Sequence, residues 1–447
     1  MLHFPSIVFA AAPAIPPSTI AQRGQSLFGL AAFTLIAFAI GRLRGAKKFP
    51  WRIVIWGTIL DFAFGGVVVH SPWLLRAVQD AIQKLLDFSN AGASLVFGDA
   101  LVTGSAPVTN SDGGTIGSAH LGFVFAITVL ATIIFISMLT AMLYHIGVMT
   151  WVVNGLAWIM QKSMGTSGAE TLSTAANIFV GQTEAPLFVK PFLAAATNSE
   201  LMAIMFGGFA NIASGVLVVY TGLLEQYIQN VGGHLAAACF ISAPATLVVS
   251  KLMMPEVTEP VTAHGVSFKT TRIDSNLIDA ATRGTSEGMT LAINVIAMLI
   301  AFTALVTMLN AGIGWIGSFF YHPDLTMQAI LGRCMSPLAW LAGVEPGECR
   351  KVGALLGLKT VLNEFVAYFQ MSGEFAKSAL FLSPRDALIA TYALCGFANF
   401  ASVGIQIGGI STMAPDRRHD LSRIGLLAMV GGAIASLMGA CVVGVLI

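Results

Sequence analysis

Charged side chains are scarce in this sequence of 447 residues. Asp, Glu, Lys and Arg make up 10% of the chain, whereas hydrophobic residues make up 56%. Ordinary soluble domains carry about 25% charged residues, so the composition predicts an integral membrane protein. The 23 basic and 22 acidic residues leave a net charge of +1, which provides no basic field for binding nucleic acid.

Cysteine is also rare, and short cofactor motifs are lacking. The five cysteines lie far apart and form no Cys-x-x-Cys pair, which argues against a zinc site or a thioredoxin-type centre. The sequence contains no Walker motif, so ATP-driven chemistry is not indicated. Residues 1–22 contain no Lys or Arg, which a signal peptide would have in its first region. We therefore expect this segment to be retained.

Long apolar runs are abundant. A helix that spans a membrane needs about 20 apolar residues, and eight runs of this kind are present. They begin near Ser26, Arg52, Leu121, Leu201, His234, Met289, Arg385 and Leu421. Because lipid offers no partner for unpaired backbone groups, these runs predict an all-α polytopic membrane protein with about eight transmembrane helices.

Basic residues indicate how these helices are oriented. Residues 42–52 include five basic residues and no acidic one, and such loops remain in the cytoplasm. Counting spans from this loop places residues 255–288 and 416–423 in the cytoplasm as well. The count predicts a multi-pass protein of the plasma (inner) membrane with both termini outside.

Two apolar stretches, residues 166–197 and 336–379, are interrupted by polar residues. In the first, Ser167 and Glu170 have the spacing of a capping box, Gly181 offers a stop signal, and Thr183 can cap a returning helix. This order predicts a helix, a polar tip and a second helix.

The second stretch follows the same plan. Ser336 and Pro337 can begin an arm, and the polar pair Asn363 and Glu364 interrupts it. Both stretches are therefore predicted to be re-entrant hairpins. By the span count they enter from opposite faces of the membrane, so their tips should meet.

A short internal repeat supports this pairing. Residues 208–214 (GFANIAS) reappear as residues 396–402 (GFANFAS), and each copy follows a predicted hairpin whose tip contains a glutamate, Glu184 or Glu364. Inverted repeats with interrupted helices are typical of secondary transporters, which bind substrate near the midplane where the interruptions meet.

The polar residues of these motifs indicate what the site binds. They are Gln182, Thr183, Glu184, Asn363, Glu364, Asn399 and Ser402. None of the motifs contains arginine, the usual partner of phosphate or carboxylate groups, so the substrate should be neutral and rich in hydrogen-bonding groups. A carboxylate can accept both protons of a vicinal diol, and an amide can pair with the edge of a base, so a sugar joined to a nucleobase would fit.

A glutamate at the bilayer centre costs about 2.5–3.5 kcal/mol by insertion scales and requires partners or a wet cavity. Glu184 and Glu364 are therefore functional candidates. The alternative is a structural hydrogen-bond network that locks the hairpin tips. For Asn399 and Ser402 the corresponding alternative is hydrogen bonding between helices.

Three segments carry a resemblance to a known family. They are residues 165–186 (GTSGAETLSTAANIFVGQTEAP), residues 363–368 (NEFVAY) and residues 396–402 (GFANFAS). They resemble the concentrative nucleoside transporters, in particular the bacterial-type, sodium-coupled branch, and the likeness extends from about Gly122 to the end of the sequence.

The resemblance implies a homotrimer in membrane lipid that imports nucleosides with sodium by an elevator-like motion, without enzymatic activity and with no cofactor besides the coupling ion. It implies that Gln182, Thr183 and Glu184 contact the base. It also implies that Glu364, Asn399 and Ser402 hold the ribose hydroxyls and that Phe397 forms an apolar wall.

The resemblance further implies a sodium site formed by the Asn177 side chain, the Val180 carbonyl, position 211 and the Ile212 carbonyl. Position 211 usually carries a hydroxyl residue in the family pattern, and here it is Asn211. An amide oxygen is still a hard ligand, but its longer reach leaves proton coupling as an alternative. From the residues alone, helix breaks near 177–181 and 211–212 would free backbone carbonyls for a small cation, although membrane asparagines also serve as contacts between helices.

We divide the chain into six segments on this basis. They are an N-terminal segment (1–22), scaffold and interfacial helices (23–163), the first transport repeat (164–255), a cytoplasmic loop with a scaffold helix (256–332), the second transport repeat (333–414) and a C-terminal helix (415–447). Besides proton coupling, two other functions use the same features: an intramembrane hydrolase with two acids, and a channel lined by two hairpins.

Overall fold

The computed structural model describes residues 16–110, 115–120, 125–263, 274–322, 324–378 and 381–447. Residues 1–15 of the N-terminal segment and residues 264–273 of the predicted cytoplasmic loop lie outside this part of the chain.

In the described residues of the first third of the chain there are long apolar helices and one small antiparallel pair of strands. Its elements are α1 (Ile20–Leu43), α2 (Trp51–Val69), α3 (Pro72–Phe97), α4 (Asp99–Thr103), β1 (Ser105–Thr109), β2 (Thr115–His120), α5 (Phe125–Ile146) and α6 (Val148–Met164). The two strands pair antiparallel. Helix α1 begins with a capping box in which Thr19 and Gln22 pair reciprocally.

The first interrupted stretch and the spans after it form the next group. Its elements are α7 (Gly168–Ala176), a 3-10 helix (Ala185–Val189), α8 (Lys190–Leu193), α9 (Asn198–Ala210), α10 (Ser214–Leu224) and α11 (Val231–Met253).

The second interrupted stretch follows one very long helix. The elements are α12 (Leu277–Ser318), α13 (Met327–Leu341), α14 (Cys349–Val361), α15 (Glu364–Lys377), α16 (Pro384–Leu394), α17 (Phe400–Met413), a 3-10 turn (Pro415–Arg417) and α18 (Arg418–Leu446). The all-α polytopic class is thus confirmed, and the described residues add one antiparallel pair of strands that the apolar pattern did not predict.

The described part of the chain contains one fewer apolar helix of spanning length than the eight predicted runs. In the described part of the chain, seven helical segments are long and apolar enough to cross a membrane. The run that begins near Arg385 is instead divided into α16 and α17. The apolar count missed this break because Cys395 to Ala398 are themselves small or apolar residues.

Local capping signals also moved several predicted boundaries. Helix α12 begins twelve residues before Met289, because the Asn276 side chain accepts hydrogen bonds from the first-turn amides. Ser336 and Pro337 do not begin an arm. They lie inside α13, which starts after its N-cap residue Thr326, and Pro337 is tolerated within the helix. The arms that meet at the second tip are α14 and α15.

The first interrupted stretch follows its predicted plan with shifted ends. The capping box of Ser167 and Glu170 is confirmed. Helix α7 ends at Ala176, before Gly181. Glu184, rather than Thr183, precedes the returning 3-10 helix, which has Pro186 in its first turn.

Burial divides the apolar helices into two groups. The most apolar windows of α9–α10 and of α11 are 89% buried within the chain, and that of α18 is 78% buried. The corresponding windows of α2, α5 and α12 are 17%, 28% and 11% buried. Helices α9, α10, α11 and α18 therefore lie in the interior, whereas α2, α5 and α12 expose most of their apolar surface.

Candidate functional site

The first tip is a non-helical turn between α7 and the 3-10 helix. Every residue of α7 is buried, and the chain leaves the helix at Asn177. Gln182 and Thr183 are half-buried, whereas Glu184 is exposed. The tip is thus carried by a helix that is packed on all sides, which fixes where its polar residues lie.

The break between α9 and α10 lies beside this tip. Asn211 has extended backbone angles (φ −115°, ψ 163°), and the helix resumes at Ser214. The Ser214 amide donates to the Phe179 carbonyl at 3.4 Å. A Cβ atom built on Gly207 would come within 2.8 Å of Asn177 Nδ2. The tip and the break are therefore in direct contact.

The break between α16 and α17 contains the second copy of the repeat. Gly396 has φ +122°, a backbone conformation that residues other than glycine rarely adopt. A Cβ atom there would lie 2.6 Å from the Phe209 carbonyl oxygen and 2.8 Å from the Ala210 carbonyl carbon. The two copies of the repeated motif therefore touch through their backbones.

Lys359 satisfies carbonyls that this second break exposes. Its ammonium donates to the carbonyls of Ala393 at 3.0 Å and Cys395 at 3.5 Å, and it is 2% exposed. Lysine side chains near a helix C-terminus stabilise it in this way. Lys359 therefore caps the end of α16.

The second tip presents Glu364 to the start of α17. Asn363 caps α15 by accepting from the Val366 amide at 2.8 Å. Glu364 is 5% exposed. It accepts from Asn399 Nδ2 at 3.1 Å and from the Tyr220 hydroxyl at 3.1 Å. This buried carboxylate is held by two neutral donors.

The first tip contacts α17 as well. Gln182 Nε2 donates to Ser402 Oγ at 3.3 Å, and Gln182 Oε1 accepts from Gln406 Nε2 at 3.2 Å. Asn399 Oδ1 in turn accepts from the Ser402 amide at 2.9 Å.

These contacts form one polar chain that joins both tips through α17. Its members are Gln406, Gln182, Ser402, Asn399, Glu364 and Tyr220. The structure thus brings Gln182, Glu364, Asn399 and Ser402 together. Such a chain of amides, hydroxyls and one carboxylate matches a neutral solute with donors and acceptors.

The remaining sequence-predicted site residues lie at the edge of this chain. A Cβ atom on Gly409 would lie 2.9 Å from Thr183 Cγ2, so Thr183 packs against α17. Phe397 is half-buried at the break. The Glu184 carboxylate folds over Gly181. Within the described residues it has no hydrogen bond to the polar chain.

The four residues that the resemblance assigns to sodium lie in the first tip and in the neighbouring break between α9 and α10. Asn177 is 1% exposed and its amide nitrogen donates to the Ser173 carbonyl at 3.1 Å, which leaves its oxygen available. Cys239 Sγ lies 3.9 Å from the Ile212 carbonyl oxygen. Val180 is half-buried.

Asn211 has an unusual environment. It is 2% exposed, its oxygen accepts from the Ser242 hydroxyl, and its amide nitrogen has no partner among the described residues. A buried amide nitrogen without an acceptor is unfavourable. Rotating the amide would let the nitrogen donate to Ser242 and turn the oxygen to the unpartnered position, where a cation could be coordinated. The donor set therefore fits a small hard cation.

The base of the first hairpin contains a buried ionic network. Lys251 Nζ lies 2.5 Å from Glu170 Oε2, with side chains 5% and 1% exposed, and it donates to Ser199 Oγ at 2.8 Å. Glu200 accepts from Ser167 Oγ at 2.6 Å. The network ties the start of α7 to the start of α9 and the end of α11.

The base of the second hairpin has a related arrangement. Asp386 in the first turn of α16 accepts from the Glu345 amide at 3.1 Å. Arg385 donates to the carbonyls of Gly343 at 2.6 Å and Gly444 at 3.2 Å. In both repeats, an acid near the start of the interrupted helix thus holds the chain that leads into the hairpin.

Sequence reasoning missed three residues that complete the site, namely Tyr220, Ser242 and Gln406. Gln406 had a usable signal, because it lies seven residues after Asn399 and four after Ser402 and so shares their helix face. Tyr220 and Ser242 had none, since they reach the site from α10 and α11.

Comparison with known proteins places these features in a family. Models of the Na+-dependent nucleoside transporter N-terminus, of nucleoside recognition and of the Na+-dependent nucleoside transporter C-terminus match residues 28–100, 126–227 and 234–444.

Similar proteins are found in bacteria and vertebrates. An uncharacterized transporter of Haemophilus influenzae is 40% identical, with 95% of this chain and 97% of that protein covered. Sodium/nucleoside cotransporter 1 of Sus scrofa is 39% identical over 95% of this chain, but only 65% of its own length is covered. The chain spans 61% of solute carrier family 28 member 3 of Eptatretus stoutii, which is 38% identical.

Solved structures of the protein CNTnw have the same fold. CNTnw in an inward-facing substrate-bound state is 38% identical with a TM-score of 0.83, and 95% of this chain and 98% of that chain are covered. A CNTnw variant in an outward-facing state gives 37% identity and a TM-score of 0.85, with 96% and 98% covered. With this fold, the matching family models and the bacterial relative, the chain belongs to the Na+-dependent nucleoside transporter family.

Proposed function

We propose that this chain imports nucleosides together with sodium as a secondary active transporter. The observation that carries the proposal is the polar chain between the two tips, in which Glu364 is held by Asn399 and Tyr220 and lies beside Ser402 and Gln182. Glu364, Asn399 and Ser402 offer the acceptors and donors that ribose hydroxyls require, and Gln182 offers an amide to the base. Thr183, Glu184 and Phe397 complete the proposed substrate site.

Sodium is the proposed coupling ion, bound by Asn177, Val180, Asn211 and Ile212. The Asn211 amide nitrogen, which has no partner among the described residues, supports this assignment, as does the neighbouring Ser242 hydroxyl. One sodium ion that moves down 100 mV contributes about 2.3 kcal/mol, and a tenfold gradient adds about 1.4 kcal/mol. Together they could concentrate a neutral solute roughly several hundredfold.

We further propose that the interior helices move as a transport domain against a scaffold. The contrast in burial supports the division, because α9–α11 are largely enclosed while α2, α5 and α12 are not. The transport domain would comprise residues 164–255 and 333–414. The exposed apolar surface of α12, 11% buried, would face lipid or the neighbouring subunits of a homotrimer.

Uptake of labelled uridine into proteoliposomes tests the proposal when sodium and pH gradients are imposed separately. We expect accumulation above equilibrium that requires inward sodium and is indifferent to an acid exterior. Uptake that ignores sodium and follows the pH gradient would favour proton coupling. Equilibration without accumulation would favour a channel, and chemically altered substrate would favour a hydrolase.

Asn177→Ala is expected to weaken apparent sodium affinity by about tenfold, because one hard oxygen ligand contributes on the order of 1.4 kcal/mol. Uridine affinity at saturating sodium should change little. The measurement is the sodium dependence of uridine uptake. Asn90→Ala in α3 serves as the control and should leave the sodium dependence of uptake unchanged. An unaltered sodium dependence in Asn177→Ala would place the ion elsewhere.

A further inference from the structure

We propose that Gln406 is a positioning residue that fixes the orientation of the Gln182 amide and thereby makes the site select for hydrogen-bond acceptors on the nucleobase. This inference rests on the proposed nucleoside transport and adds to it a residue that determines base selectivity. It is carried by the geometry of the two amides and their surroundings.

Gln406 lies in a closely packed position behind Gln182. It is 0% exposed, so it does not face the solute itself. A Cβ atom on Gly208 would lie 2.6 Å from Gln406 Nε2 and 2.9 Å from Gln182 Cβ. Both glutamines therefore pack on the bare backbone of Gly208, which leaves little room for either amide to move.

The hydrogen bonds fix which end of each amide donates and which accepts. Gln406 Nε2 donates to Gln182 Oε1 at 3.2 Å, and Gln182 Nε2 donates to Ser402 Oγ at 3.3 Å. The Gln182 carbonyl is thus engaged by Gln406, and its amide nitrogen has one further hydrogen to offer. Gln182 can therefore donate to a base, and only the second lone pair of its carbonyl oxygen remains free to accept.

The opposite orientation of the two amides, with oxygen and nitrogen exchanged in both, would be less favourable. Gln406 Oε1 has no hydrogen-bond partner in the described part of the chain. If both amides were reversed, the Gln406 NH2 group would occupy that unpartnered position with its two donors. An under-satisfied carbonyl is tolerated more often than buried N–H groups without acceptors. The surroundings of Gln406 therefore set the direction for both residues.

A consequence for selectivity follows. In this proposal, ring position 4 of the base lies beside Gln182. At this position uridine has a carbonyl, which accepts, whereas cytidine has an amino group, which donates. An amide that presents its N–H favours the carbonyl. Without Gln406, the Gln182 carbonyl is released and the amide can turn to meet either base.

The test compares uptake of uridine and cytidine by the full chain in proteoliposomes for Gln406→Leu. Leucine has a similar size and removes an unpaired buried acceptor, so the variant should fold. We expect the uridine-to-cytidine ratio of kcat/KM to fall by about fivefold, the value of one neutral hydrogen bond. The change should lie in KM, with kcat retained. Gln370→Leu, which removes a glutamine bond to Glu374 on α15, should leave the ratio unchanged.

A double-mutant cycle separates a positioning role from a purely structural one. In a Gln182→Ala background, Gln406→Leu should have no further effect on the ratio, since Gln406 acts through Gln182. The inference is overturned if the ratio is unchanged in the single variant or falls equally in both backgrounds. If Gln406→Leu is not recovered folded, Gln406→Met takes its place, and misfolding of both overturns the positioning role. Absence of nucleoside uptake by the unsubstituted protein would instead refute the proposed function.

Discussion

Glu364→Gln is expected to abolish nucleoside uptake while the protein remains folded. The Glu364 carboxylate accepts from Tyr220 and Asn399 at 3.1 Å each. An amide has a single oxygen. Its NH2 group would therefore face one of these donors, and the side chain would lose one of the two oxygens that could accept from the ribose. Hydrogen bonds to a charged group contribute about 1.5–3 kcal/mol each. Loss of two such hydrogen bonds reduces the affinity for the nucleoside roughly 100-fold or more. Calorimetric titration of the detergent-solubilised variant with uridine measures the loss.

Glu374→Gln provides a matched control on the same helix. Glu374 bonds to Lys377 and Gln370 at the far end of α15, away from the polar chain, so uridine affinity should be preserved. Size-exclusion chromatography of both variants checks that they are folded. Wild-type affinity in a folded Glu364→Gln protein would remove the proposed ribose contact.

Lys251→Met is expected to lower the thermal stability of the protein strongly. Lys251 lies 2.5 Å from Glu170, and both side chains are almost fully buried. Removing the cation leaves the Glu170 carboxylate without its charged partner. Breaking a buried ion pair in this way costs about 3–5 kcal/mol. A decrease in Tm of roughly 5–10 °C is therefore expected in a detergent thermal-shift assay.

Two further variants show whether the lost charge pair is the cause. Lys377→Met removes a lysine that is 72% exposed and bonds to Glu374 at 2.9 Å, and its Tm should be unchanged because exposed pairs contribute little. Adding Glu170→Gln to Lys251→Met should recover part of the lost Tm. A Lys251→Met protein as stable as the unsubstituted chain would show that the network at the hairpin base is dispensable.

Local signals in the sequence predicted the local parts of the site well. The capping box of Ser167 and Glu170 forms as its spacing indicates, and Asn363 and Asn399 each cap the helix that follows them. These bonds join residues three positions apart, so a short motif contains all the information they need. The repeated motif likewise indicated that the two interruptions belong together.

Apolar composition was a weaker guide to where helices begin and end. The run that starts near Arg385 was predicted as a continuous span, yet the chain breaks at Gly396, and this break is stabilised by the Asn399 cap and by Lys359. Lys359 precedes the carbonyl of Ala393 by 34 residues. A window of about 20 residues cannot include both, so the break was not predicted.

Hydrogen-bond partners that other helices contribute could not be predicted from the sequence either. Tyr220 bonds to Glu364 across 144 positions, and Ser242 bonds to Asn211 across 31 positions. Neither residue stands out among neighbours that are nearly all apolar. The direction of the Gln182 amide depends on Gln406, 224 positions away. Such details arise only when helix packing fixes the neighbours of each side chain.

The contact between Gly396 and the backbone of Phe209 and Ala210 also constrains how this chain can diverge. A residue with a side chain could replace Gly396 only if the opposite half yielded space at the same time. The two halves of the molecule are thus expected to accumulate changes at this crossing jointly, however freely they drift apart elsewhere.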